Sequence, residues 1–230
     1  MPIPPPSPPP APPPIRRRRG RPATSTGPGR DDARAHLLDV ALKLFSEQGI
    51  AATPLSLIAR RARVTPALLH YYFGSKDKLV DALVEERLQP LSAALGRRLA
   101  EAGPNLRGAL EAFVGALLEL LSANPWFPQL WLREVLNEGG QLRQRLIERV
   151  APPVAHRVRE LVQRAQAEGR MNPDIEPRLL LVSLIGLTVF PLAAQPIWRA
   201  IFPSDDLTTD SLRRHVLALL LRGLELTDAH

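Results

Sequence analysis

Thr53-Pro54-Leu55-Ser56-Leu57-Ile58-Ala59-Arg60-Arg61-Ala62-Arg63-Val64-Thr65-Pro66-Ala67-Leu68-Leu69-His70-Tyr71-Tyr72 is the stretch on which the fold turns. It carries one start signal twice. In Thr53-Pro54, and again in Thr65-Pro66, a hydroxyl able to cap a helix precedes a proline, whose missing N–H costs nothing at the first helical position. Leu55, Ile58, Ala59 and Ala62 share one face of the first helix. The second helix follows a short link, Ala62 to Thr65, and the pair reads as a helix-turn-helix. In that motif the second helix enters the DNA major groove, about 12 Å wide, while the first braces it against the backbone. Leu69 is expected to face inward, and Ala67, His70, Tyr71 and Tyr72 outward.

The surrounding pattern is helical in both directions. Upstream, Asp31 and Asp32 suit a helix start, Leu37, Ala41, Leu44 and Phe45 form one apolar stripe, and Gly49 suits a left-handed cap. Downstream, Ser75 caps a helix with Leu79, Leu83 and Leu88 inward, and Pro90 should kink or break it. Leu106, Leu110, Phe113, Leu117 and Leu121 share a further face. Asn124 is expected to cap a segment carrying Trp126, Phe127, Leu130 and Trp131, closed by Gly139-Gly140. Pro152, Pro177 and Thr208 or Thr209 start the last helices. With no alternating strand and no internal repeat, the fold class is all-α.

Composition narrows the function. There is no cysteine, which excludes disulfides, Cys-ligated metals and a Cys nucleophile. Residues 1–80 hold 13 Lys and Arg against 5 Asp and Glu, whereas residues 81–230 hold 17 against 18. A polyanion partner is therefore expected for the first part alone. The five His show no metal spacing, and H-E-x-x-H, G-x-S-x-G and phosphate-cradling glycine loops are absent. Neither an enzyme, a cofactor nor a metal is expected. The apolar run Leu179–Ala194 is shorter than the roughly 20 residues of a bilayer span. No membrane partner is expected, and the chain reads as cytoplasmic and nucleoid-associated.

The segment Ala35 to Leu83 resembles the DNA-binding domain of the TetR/AcrR family of bacterial transcriptional regulators. The matching pieces are Ala41-Leu42-Lys43-Leu44-Phe45-Ser46-Glu47-Gln48-Gly49, Leu57-Ile58-Ala59, Val64-Thr65 and Tyr72-Phe73-Gly74-Ser75-Lys76-Asp77-Lys78-Leu79. Two positions depart from the family: Arg63 stands where its turn usually has Gly, and His70 where it often has Tyr. A left-handed Arg63 costs about 1 kcal/mol relative to Gly. The resemblance implies a three-helix DNA-binding domain with a helix-turn-helix, and a C-terminal helical bundle for ligand binding and dimerisation. The expected divisions are a Pro/Arg-rich disordered leader at 1–30, the DNA-binding domain at 31–78 and the C-terminal domain at 79–230. The last two long helices, about 177–194 and 207–226, are expected to join a second copy in a four-helix bundle.

The expected function is that of a ligand-responsive regulator, a repressor, binding a palindromic operator in double-stranded DNA as a homodimer. Thr65, Ala67, His70, Tyr71 and Tyr72 are expected to read or position the major groove, and Ser56 and Lys76 to hold phosphates. Arg19-Gly20-Arg21-Pro22 reads like an AT-hook core, so Arg19 and Arg21 fit the minor groove of A·T tracts; a solvated charge run is the other reading. The effector is an unidentified small molecule, its pocket lined by Phe113, Trp126, Phe127, Trp131 and Phe190. A second function stays open: a sequence-tolerant architectural DNA binder that uses its basic arm and has no effector.

Overall fold

A computed structural model of the chain describes residues 1, 30–202 and 207–224. Arg19 and Arg21, and with them the arm, lie outside the described residues. The fold is all-α, as the periodicity requires, and no strand occurs among the described residues.

α1 (Arg30–Gln48) opens with Asp31 and Asp32 in its first turn and buries the whole expected stripe, Leu37, Ala41, Leu44 and Phe45. It stops where Gly49 takes φ +89°, its N–H donating to the Phe45 carbonyl at 2.9 Å. α2 (Leu55–Ala62), α3 (Pro66–Phe73) and α4 (Lys76–Leu83) follow in quick succession. α4 runs on through a π-helical turn, Val84–Leu88, into α5 (Gln89–Glu101). The expected break at Pro90 is only this widened turn. Proline cannot donate to the Glu86 carbonyl, and the Arg87 guanidinium does so instead at 3.2 Å.

α6 (Leu106–Ala123) carries the long apolar face, with Leu106, Leu110, Phe113, Leu117 and Leu121 all buried. Asn124 ends it rather than capping the next helix: its side-chain amide donates to the Leu120 carbonyl at 2.9 Å. α7 (Phe127–Trp131) passes into a second π turn, Leu132–Leu136. The chain then turns at Gly139-Gly140. A Cβ on Gly140 would stand 2.3 Å from the Glu134 carbonyl oxygen, so only glycine fits. α8 (Arg143–Arg145) and a third π turn, Leu146–Val150, lead to α9 (Pro152–Ala167). α10 (Pro177–Ala193), α11 (Gln195–Ile201) and α12 (Thr209–Gly223) complete the bundle. No single described helix is long and apolar enough to cross a membrane; α10 and α11 pass that test only together, bent by 68°.

Two apolar cores result. The first joins α1–α4 to Leu88, Leu130, Val135, Leu142 and Val150. The second is built from α6, α9, α10 and α12. Leu79 and Leu83, just past the expected boundary at 78/79, pack with α1 in the first core. Phe127 and Trp131 pack against both cores, which makes α7 the seam of the molecule.

Candidate nucleic-acid interface and effector cavity

The turn between α2 and α3 closes as a Schellman motif. Arg63 takes φ 58° and ψ 39°, the sole positive φ outside glycine among the described residues. Its N–H donates to the Arg60 carbonyl at 3.2 Å, and the Val64 N–H reaches back to Ala59 at 3.0 Å. Arg63 thus takes the left-handed conformation that a Gly would adopt at lower cost. Thr65 caps α3 as expected, its hydroxyl oxygen accepting from the Leu68 N–H at 3.3 Å. The hydroxyl proton stays available for a phosphate. Thr53 behaves differently. Pro54, extended at ψ 151°, is the cap residue of α2, and the buried Thr53 hydroxyl donates to the Gly49 carbonyl at 2.7 Å, fixing the turn after α1.

α3 has two sides. Leu69 and Phe73, one turn apart, are buried, and the Arg34 guanidinium lies 5.0 Å over the Phe73 ring. Ala67, His70 and Tyr71 are exposed, Tyr71 to 62%. Tyr72 departs from the outward expectation: it is half-buried against the first core, edge-on to Tyr71 at 5.5 Å. One residue of helix turns a side chain by about 100°, which carries position 72 round to the packed side. The His70 ring is oriented from below, its Nδ1–H donating to the Gly74 carbonyl at 2.8 Å. In the neutral ring Nε2 is then an acceptor, suited to the exocyclic amines of adenine or cytosine. Ser56 is exposed on the first turn of α2.

Lys76, expected to hold a phosphate, makes a contact within the chain. Its ammonium turns inward and donates to the Ala51 carbonyl at 3.1 Å. Burial pushes its pKa below the ordinary lysine value, and the charge of Glu134 opposes that shift. A half-buried lysine bonded to its own backbone is first a brace of the turn after α1.

Glu134, which the sequence reading passed over, is the group facing that brace. It is 4% exposed and ties two distant parts of the chain together. One carboxylate oxygen accepts from the Ile50 N–H at 2.8 Å and the other from the Gln141 N–H at 3.0 Å. The signal available in the sequence was an acid set among Trp131, Leu132, Val135 and Leu136. A second tie lies alongside: Arg145 donates to Asp81 at 2.8 Å and also to Asp77, and Arg149 donates to Asp81 at 3.2 Å.

The same segment walls the cavities. An inner apolar cavity of about 110 Å³ is lined by Phe113, Leu117, Phe127, Trp131, Val154 and Ile185, among others. An outer groove of about 500 Å³ runs between the second π turn and α10, lined by Trp131, Leu136, Val182 and Phe190. Of the expected lining residues, Phe113, Phe127, Trp131 and Phe190 therefore border these spaces. Trp126 does not. It precedes α7 and packs on the first core, over a surface hollow with Asp39, Lys43 and Glu47. Among the described residues no group of three or more His, Asp or Glu could hold a metal ion.

An exposed recognition helix behind a capped turn defines a helix-turn-helix DNA-binding protein. Comparison with known proteins makes this specific. Residues 37–83 match the family of bacterial regulatory proteins, tetR family, and residues 107–221 match the tetracyclin repressor-like C-terminal domain. The chain belongs to the TetR family of bacterial regulatory proteins. Among its curated relatives is the HTH-type transcriptional regulator BetI of Burkholderia mallei, 34% identical over 103 residues and 45% of this chain. The chain spans about half the length of that relative, 53%. The HTH-type transcriptional repressor KstR2 of Rhodococcus jostii is 25% identical, over 88% of this chain and 96% of its own. Among solved structures, the ketosteroid transcriptional regulator KstR2 of Mycobacterium tuberculosis superposes with a TM-score of 0.67 at 24% identity, covering 85% of this chain and 95% of that one. FadR of Bacillus subtilis, in complex with stearoyl-CoA, gives 0.65 at 17%, covering 83% and 98%.

Proposed function

We propose that this regulator is a ligand-responsive repressor which binds a palindromic operator as a homodimer, working on the chromosome in the cytoplasm. Residues 31–78 form its DNA-binding domain and residues 79–230 its effector-binding and dimerisation domain. The observation that carries the reading is the division of α3 into a buried side, Leu69 and Phe73, and an exposed side, Ala67, His70 and Tyr71. A helix so held presents its outer side chains at fixed positions to a groove. His70 and Tyr71 contact bases or phosphates, Ala67 allows close approach, and Thr65 and Ser56 hold the backbone. Tyr72 and Lys76 support this surface from behind, and Arg19 and Arg21 follow the minor groove beside it.

Dimerisation rests on α10 and α12. Leu179 of α10 and Leu219 of α12, which meet at one surface hollow, are at least half exposed, and apolar side chains so placed are stabilised by a covering surface. A second copy supplies it and sets two α3 helices one DNA turn apart. Effector binding acts on the seam. A molecule that displaces Trp131 moves the π turn carrying Glu134, hence the turn at Ile50, and moves α8 with its grip on Asp81. Release of DNA then requires that the effector bind the displaced state more tightly. The relatives named KstR2 and FadR make a regulator of this kind familiar for the fold.

The test is footprinting of the purified chain on the DNA upstream of its own coding sequence. A symmetric protected site is expected. Tyr71→Ala should weaken binding to that site at least tenfold while circular dichroism and sedimentation stay unchanged. Unchanged affinity in the variant removes Tyr71 from the interface, and equal affinity for random DNA replaces the operator reading by an architectural one.

A further inference from the structure

The wall of the inner cavity offers hydrocarbon on every side. Its one hydroxyl, Ser92 Oγ, already donates to the Val150 carbonyl at 2.6 Å. No charged side chain lines either the cavity or the outer groove. An ion seated there would lose its hydration and gain no partner. Quaternary cations are held by aromatic faces arranged as a cage. Here Phe127 and Trp131 stack on each other, centroids 5.8 Å apart and planes 25° from parallel, so that each ring spends a face on its neighbour.

Size and connection fix the rest. An apolar cavity of about 150 Å³ takes a benzene ring; the inner space, at about 110 Å³, suits a short alkyl end or a single small ring. The outer groove, at about 500 Å³, has room for a larger body. The two linings share Trp131, Leu181 and Ile185, so one layer of side chains separates them. Resting on the effector reading above, we infer that the effector is an uncharged lipophile whose hydrocarbon end sits in the inner cavity behind Trp131, with its body in the groove along α10. Recognition is by filling, with no polar anchor.

Calorimetric titration of the full chain with hexanol, octanol and decanol tests this, with decanoate and tetrapropylammonium as charged counterparts. Affinity is expected to rise about fourfold per added methylene. Both ions are expected to bind at least tenfold more weakly than decanol. Ser92→Ala should change decanol affinity less than twofold, and Ile185→Trp, which fills the shared wall, should lower it at least tenfold. Decanoate or the ammonium ion matching decanol, or a tenfold loss in Ser92→Ala, overturns the inference by revealing a polar anchor. Gel shifts on the upstream DNA run in parallel. Specific DNA binding without alkanol binding sinks this inference and leaves the regulator standing. Alkanol binding without specific DNA binding does the reverse.

Discussion

The α2–α3 reader and the segment from α7 to the third π turn are held in opposite ways. In the reader the capping and turn bonds are local: Val64 to Ala59, Thr65 to Leu68, His70 to Gly74. In the segment 127–150 the bonds reach far along the chain. Glu134 and Ile50 are 84 positions apart, Arg145 and Asp81 64, and Val150 and Ser92 58. A surface that must meet DNA in one shape gains from local locks that hold whatever the rest does. A seam that must answer a ligand gains from ties to everything around it, because such ties carry displacement.

Cutting the longest tie should break this contrast most visibly. Glu134→Ala leaves the Ile50 and Gln141 N–H groups without an acceptor in a buried site and takes away the charge facing Lys76. A loss of about 2–4 kcal/mol in denaturant unfolding is expected. Hydrogen exchange should locate the damage, with the Ile50 amide opening far faster and the Leu68 amide unchanged. Equal acceleration at both amides would show reader and seam to be one cooperative unit.

That division also decides what could be read from the sequence. The helix-turn-helix was legible down to the strain at Arg63, because caps, proline positions and apolar spacing act within a few residues. Tyr72 was misread within the same helix, since its side depends on where the first core wraps round α3. Trp126, Phe127 and Trp131 read alike as pocket residues, yet Trp126 packs toward α1 for reasons set by the fold. Lys76 reads as a phosphate ligand from its place at the start of α4, yet the Ala51 carbonyl and the Glu134 charge draw it inward. The two lie on separate segments that no local pattern brings together. The partners of Glu134, Ile50 and Gln141, were hidden for the same reason.

A smaller effect sharpens the local side of the comparison. Arg63→Gly relieves a left-handed arginine at the cost of a looser unfolded chain. A net gain of about 0.5 kcal/mol is expected in the unfolding midpoint, with no change in exchange at Ile50. A loss of stability would mean that the arginine side chain contributes more than its backbone costs.

The smallest effect tests the second tie through pH. The Asp81 carboxyl is held below its ordinary range, first by the hydrogen bond from Arg145 and then, against its partial burial, by the charges of Arg145 and Arg149. A carboxylate whose folded pKa is depressed gives stability that is full above its unfolded value and is lost as pH falls through the folded one. The window therefore lies below about pH 5. With the side chain 31% exposed, the contribution is under about 1 kcal/mol. Asp81→Asn should unfold slightly sooner than the parent at pH 7, and the two curves should draw together as pH falls below the ordinary aspartate range. A gap that persists in acid would assign the aspartate's role to packing between α4 and α8. The link from the cavity wall to the reader would then run through Glu134 alone.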